Sequence, residues 1–377
     1  MKRLALSATA ILASTAILTG CAATTATLDS ITSSESASTG SVTSVDTSRA
    51  SGDIDWSTLP TTEVALTNAG LTITTPGTYV LSGSTTGQVV VASDGDVRLI
   101  LNGVNIASST GAAIQVDSAE TTVIELADGT SNTISDATTR SDAEVDGALY
   151  SADDLIITGT GSLDVTGSFA DGIVGKDDLV IESGTITVSS VDDAIRGTDS
   201  LTVSGGTITI DAAGDGMKST NDTDAGAGQL VVSGGDVTIT TGDDAIKAEQ
   251  QVSITGGTID IVRSVEGIEA PVVVINGGDI AINASDDGVN AAASAIVTTG
   301  VSVTIGGGTL TIVMGSGDTD AIDSNGDLTI TGGTITITAQ SATDFDGTAI
   351  FTGGTLTVNG AQVTELTRQM MGGGGRP

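Results

Sequence analysis

Along most of the chain, polar and aliphatic residues alternate one by one in short runs, and glycine pairs open the runs. The phrase GGTITI at 205–210 returns as GGDVTI at 234–239, GGTIDI at 256–261 and GGDIAI at 277–282. It continues as GGTLTI at 307–312, GGTITI at 332–337 and GGTLTV at 353–358. A period of two predicts strands with aliphatics on one face, and the glycines and Asp-Gly pairs predict turns that need positive φ. Between these runs stands a second phrase, acid–small–aliphatic, headed by Asp171, Asp193, Asp215, Asp244, Glu266, Asp287 and Asp320. The successive spacings are 22, 22, 29, 22, 21 and 33, a 22-residue period broken by longer coils.

Strands this short are unstable in an isolated hairpin, but they suit a repeat in which each coil stacks on the last. The expected fold is all-β: a right-handed, single-stranded parallel β-helix of about 22 residues per coil, with Ile and Val filling the bore. About a dozen coils at ~4.8 Å each would rise roughly 60 Å. A β-sandwich is the rival, and the fixed period argues against it.

Composition narrows the chemistry. There are 377 residues, 12 Lys plus Arg against 47 Asp plus Glu, no His and one Cys. The formal charge is −35, and loss of a leader carrying Lys2 and Arg3 makes it −37. Such a charge excludes binding nucleic acid by phosphate neutralisation. A Ser-His-Asp triad and any imidazole-ligated metal are impossible, as is an intramolecular disulfide. Aromatics are 2% of residues, which fits a narrow aliphatic bore.

The chain begins with a basic Met1-Lys2-Arg3 and an apolar run too short to span a bilayer, ending Leu18-Thr19-Gly20-Cys21. This reads as a lipoprotein signal over residues 1–20, with Cys21 as the lipidation site and the cell envelope as the destination. Residues 21–55, rich in Ser, Thr and Ala, read as a tether; 56–365 as the solenoid; and 366–377 as a disordered tail.

In the acid–small–aliphatic phrase the aliphatic is expected to point inward, and the acid and the residue after the aliphatic outward. Stacking then makes a column of carboxylates about 5 Å apart, each pair repelling by ~0.8 kcal/mol in water and ~3 at an effective dielectric of 20. Asp192, Asp243 and Asp286 add a second acid. Counter-charge is uneven: Arg196, Lys218 and Lys247 follow three of the acids, whereas Glu269, Asn290 and Asp323 follow Glu266, Asp287 and Asp320. Calcium, which takes six to eight oxygen ligands, suits the column. The candidate metal ligands are Asp192, Asp193, Asp215, Asp243, Asp244, Glu266, Asp286, Asp287, Asp320 and Asp323, and Arg196, Lys218 and Lys247 are candidate saccharide contacts. Outward Thr pairs such as Thr207/Thr209 and Thr334/Thr336 suit a solvated strand face. The same arrangement can order water as ice-binding surfaces do, but Asp236, Asp260, Asp279 and Ala281 interrupt the columns.

The stretches LTITTPGTYVLSGSTTGQVVV (71–91), DVRLILNGVNIASSTGAAI (96–114) and VIELADGTSNTISDA (123–137), with DDAIRG, GDGMKS and DDAIKA after them, carry a resemblance. Over residues 71–358 the chain resembles a bacterial family of lipid-anchored carbohydrate-binding proteins, typified by a calcium- and pectin-binding β-helix protein of a cellulose-degrading clostridium. The resemblance implies a fold similar to certain pectate lyases, calcium, and polygalacturonate-like ligands. It also implies that Asp192, Asp193, Asp215, Asp243, Asp244, Asp286, Asp287 and Asp320 face the metal; Glu266 departs from the pattern. The chain lacks aromatics to stack on neutral sugars. Three functions are weighed: a non-catalytic, monomeric module binding acidic polysaccharide; a calcium-dependent lyase with Lys218 or Lys247 as base; and a structural acidic rod or adhesin.

Overall fold

Each strand pairs in parallel with the equivalent strand one coil away, in a register that the repeat dictates. Ile173 stands opposite Ile195, Leu179 opposite Leu201 and Ile186 opposite Ile208, each pair 22 residues apart. One coil thus comprises strands Asp171–Gly175, Asp178–Ile181 and Thr185–Ser190, and the next Ile195–Gly197, Ser200–Val203 and Thr207–Ala212. The computed structural model describes residues 49–316 and 319–368, all within the unit Thr43–Pro377. The leader, Cys21 and the residues beyond 368 lie outside the described residues.

Among the described residues the strands form two long sheets, one of 24 strands and one of 12, and helix is confined to the two 3-10 turns Ser51–Asp53 and Trp56–Thr58. The 12-stranded sheet takes one strand from each coil, from Leu71–Ile73 to Ser341–Phe345. The chain is therefore an all-β, solenoid-like stack of parallel strands, and parallel pairing of successive coils excludes an antiparallel sandwich.

The alternation fills the core as expected. Ile186, Val188, Ile208, Ile210, Ile239 and Ile261 are at most 1% exposed, while Thr185, Thr187, Thr207 and Thr209 between them face solvent. Each such aliphatic contributes about 1.5–3 kcal/mol by leaving water. The second glycine of each pair is required by its backbone: Gly206, Gly235 and Gly257 have φ of 91°, 90° and 87°. A Cβ on Gly235 would lie 3.0 Å from backbone atoms of Gly205 and Gly206 in the preceding coil.

The ends differ from expectation in detail. Within the segment expected to be tether, Ile54 is 6% exposed and packs with Val123, Ile156, Val180 and Trp56 on an outer sheet face. Arg49 pairs with Asp96 at 2.8 Å, so residues 49–55 belong to the folded unit. At the far end Thr355–Val358 turns through Asn359 and Gly360, at φ 50° and 81°, into an antiparallel strand Ala361–Val363. The two positive φ values fit a tight hairpin, which occupies the last parallel edge. Leu366 packs against the core and Arg368 pairs with Asp344 and Asp346, so the segment expected to be a disordered tail is placed at least to residue 368.

Candidate functional site

The seven acids of the repeated phrase occupy one corner of successive coils, just before or at the start of the short strands Asp171–Gly175, Ile195–Gly197, Met217–Ser219, Ile246–Ala248, Ile268–Glu269, Val289–Ala291 and Asp320–Ser324. They do line up, but the expectation that they point outward is wrong for the first four. Asp171, Asp193, Asp215 and Asp244 are 3%, 8%, 2% and 3% exposed. Asp193, Asp215 and Asp244 precede their strands and Asp171 is the first residue of its own, so strand alternation does not set their direction. The carboxylate instead turns along the stack and accepts the backbone N–H of the next acid. Asp171 Oδ1 accepts from Asp193 at 3.2 Å, Asp193 from Asp215 at 2.8 Å, Asp215 from Asp244 at 2.9 Å and Asp244 from Glu266 at 3.3 Å. The ladder resumes where Asp287 Oδ1 accepts from Asp320 at 2.9 Å. It is interrupted at Glu266, whose extra methylene carries its oxygens to the Asn290 amide at 3.1 and 3.0 Å. The second acids Asp192, Asp243 and Asp286 are exposed beside it.

A second column stands alongside, with Arg196, Lys218, Lys247, Glu269, Asn290, Asp323 and Asp344 in consecutive register. Its sign changes along the stack. In the first half each cation bridges two carboxylates. Arg196 lies between Asp146 and Asp171, Lys218 between Asp215 at 2.6 Å and Asp193 at 3.4 Å, and Lys247 between Asp244 at 2.7 Å and Glu269. Burial alone would lower the Lys218 pKa, but its hydrogen bond to Asp215 and the charges of Asp215 and Asp193 push it up. Lys247 is raised in the same way, against burial, by Asp244 and Glu269. Asp171 is pushed up to about 6 by burial, with Arg196 opposing.

In the second half, no Lys or Arg pairs with Glu266, Asp287 or Asp323 among the described residues. Burial pushes Glu266 up to about 8, Asp287 to about 7 and Asp323 to about 6, with neighbouring carboxylates adding to each shift. Two acid groups bring ligand atoms within 4.8 Å of one another: Asp215 with Asp243 and Asp244, and Asp244 with Glu266 and Glu269. Either could hold a metal ion, but Lys218 or Lys247 already shares oxygens of both. The sequence did not single out Asp146 or Lys176, and it noted Glu269 as a further acid but not as a partner of Lys247. Asp146 stands one residue before the ladder position, where Gly147 faces Asp171 and Leu149 faces Ile173, and Lys176 Nζ lies 3.6 Å from it.

A solved structure and a curated relative are similar to this chain. A solved structure described as the polysaccharide lyase-like protein from C. thermocellum, a gadolinium derivative, superposes with a TM-score of 0.50 at 35% identity. That match covers 56% of this chain and 87% of the other. A carbohydrate-binding domain-containing protein of Acetivibrio thermocellus is 40% identical over 126 residues, which is 31% of this chain and only 44% of the relative's length. A family model matches residues 67–319, the coils that carry most of the ladder, and the chain belongs to the family of carbohydrate-binding domain-containing proteins.

Proposed function

We propose that the chain is a cell-surface, non-catalytic module that binds acidic polysaccharide of the polygalacturonate type through calcium. The coils wind as a right-handed parallel β-helix, the hand that parallel crossovers adopt in about 98% of cases. The observation that carries the reading is the change of sign along the seam. The first half is partly neutralised by Arg196, Lys218 and Lys247, each shared by two acids, while Glu266, Asp287, Asp320 and Asp323 follow one another along the stack and, among the described residues, no Lys or Arg pairs with the first, second or fourth. A chain of charge −35 repels a polyuronate unless a cation intervenes. Calcium on the second half takes protein carboxylates and keeps positions for sugar carboxylates. Gadolinium is another hard, oxygen-seeking cation, and the structural relative was solved as its derivative. The three basic residues, each committed to two acids, hold the ladder rather than meet the sugar.

The envelope location rests on Cys21: acyl chains on it would anchor the module. Binding of polygalacturonate to immobilised protein, with calcium and then with excess chelator, tests the main reading. Loss with chelator is expected, and undiminished binding would remove the bridging mechanism.

The relative described as polysaccharide lyase-like supports a second reading, β-elimination. That reaction needs a base for the proton α to the uronate carboxylate. Lys218 and Lys247 are held in the charged form and are poor bases. Ultraviolet-absorbing unsaturated product from polygalacturonate and calcium would favour the lyase.

A further inference from the structure

The coil that lengthens the spacing to 29 residues inserts a loop at 220–228 beside a different corner of the stack, at the far end of the strand Ile195–Gly197 from the ladder. There Asp178, Ser200 and Gln229 follow one another in register on three successive coils. Asp177 and Asp199 stand one residue before the first two. These five residues line a cleft of about 180 Å³, closed on one side by Gly226 of the inserted loop. The cleft has acidic oxygens and no basic side chain in its lining.

Gln229 is 3% exposed, and its amide is oriented by its own donor: Nε2 donates to the Gly226 carbonyl at 2.5 Å. Its Oε1 is buried and without a hydrogen-bond partner. A chain does not ordinarily bury an acceptor without a partner. Gln229 lines the cleft beside Asp177 and Asp199, where a bound cation would give its oxygen the partner it lacks. The loop is fastened around it: Asn221 Nδ2 donates to Asp199 Oδ1 at 2.6 Å, and Gln250 ties Gly226 and the Asp224 carbonyl at 3.0 and 2.7 Å. Ser200 Oγ donates to Asp178 Oδ1 at 2.7 Å.

We propose that this corner is a second cation site, in which Asp177, Asp199 and the Gln229 side-chain oxygen, with Asp178 beside them, hold a calcium-class divalent ion. Oxygen-only donors and a cleft with room for ordered waters match that ion's demand for six to eight oxygens. The ion pins the inserted loop to the stack. The site stands independently of polysaccharide binding and of the ladder.

The test counts calcium bound to the full chain by equilibrium dialysis. The double variant Asp177→Asn/Asp199→Asn should lose one ion per chain, and Gln229→Met should weaken the same ion. The ladder variant Asp287→Asn/Asp323→Asn should keep it, which separates this site from the proposed glycan-bridging ions. Calcium should raise the melting temperature of the parent more than that of the corner variant. Unchanged stoichiometry in Asp177→Asn/Asp199→Asn, or loss of all bound calcium from the ladder variant alone, overturns the assignment. Should the double variant not fold, Gln229→Met decides: unaltered affinity in it also overturns the site.

Discussion

Lys218 Nζ lies 2.6 Å from Asp215 Oδ2, the side chain three residues before it, and 3.4 Å from Asp193 Oδ2 one coil away. Two nearly buried carboxylates thus share one ammonium, while their other oxygens accept backbone N–H groups of the following coils. Removing the ammonium leaves both charges without compensation. Lys218→Met is expected to cost about 2–4 kcal/mol, the lower end reflecting the partly exposed lysine. Lys218→Arg should recover most of it. Urea unfolding checks this, and an unaltered midpoint in Lys218→Met would show that solvent or a metal ion already balances the pair.

Asp193 separates the two jobs of a ladder acid. Its Oδ1 accepts the Asp215 N–H and its Oδ2 faces Lys218. In Asp193→Asn the amide oxygen still accepts the N–H; in Asp193→Ala that buried donor is unsatisfied. Alanine should therefore be less stable than asparagine by about 1–3 kcal/mol. Equal stability of the two variants would mean that the ladder hydrogen bonds contribute nothing and that the acids serve charge alone.

The small residue after each acid is as constrained as the acid. A Cβ on Gly216 would lie 2.6 Å from the Ala245 carbonyl oxygen and 2.8 Å from the Ile239 methyl. Ala194, Ala245 and Ala321, in the same register, are fully buried. Ala245→Val should destabilise by about 1–3 kcal/mol through overpacking. A thermal melt checks it, and no loss would show that the coils can separate locally to admit two methyl groups.

The coils were legible because alternation, glycine pairs and period all express one constraint, the parallel register of Ile186 on Ile208 and its equivalents. The direction of the acids was not. Alternation holds inside a strand, and Asp193 sits two residues before the strand Ile195–Gly197, in a corner whose geometry is set by neighbouring coils. The bridging of Lys247 to Glu269, two residues in cross-coil register, becomes visible only with the stack assembled. Gln229 carries no sequence signal: its significance lies in an oxygen without a partner.

The second half of the seam makes stability depend on pH. Glu266, Asp287 and Asp323 have folded-state pKa values of about 8, 7 and 6, raised by burial above their ordinary values. For a raised carboxyl the folded state holds the proton more tightly than the unfolded chain. Its stabilising effect is complete below the unfolded value and is lost as pH rises through the folded one. In chelator the protein should melt at a higher temperature at pH 5.5 than at pH 8.5, the loss beginning just above the ordinary carboxylate pKa of about 4, steepest below about pH 6 and levelling off above about pH 8. Glu266→Gln should flatten the upper part of the profile. Calcium should stabilise most at the alkaline end, where the acids are ionised. A melting temperature that climbs with pH in chelator would contradict the assignment of these groups.

Two Asp→Asn variants on opposite halves of the seam test whether its asymmetry has a function. In Asp287→Asn the amide oxygen still accepts the Asp320 N–H, so the fold should persist. Paired with Asp323→Asn, it removes two carboxylates that no Lys or Arg pairs with among the described residues, and calcium-dependent binding of polygalacturonate should fall at least tenfold, about 1.4 kcal/mol. In Asp171→Asn the first half loses the acceptor of two Arg196 hydrogen bonds, while Asp146 still holds the guanidinium. That variant should melt earlier but bind the glycan as the parent does. The opposite pattern, binding lost with Asp171→Asn and kept in the double variant, would place the sugar on Arg196, Lys218 and Lys247 and leave calcium no part in recognition.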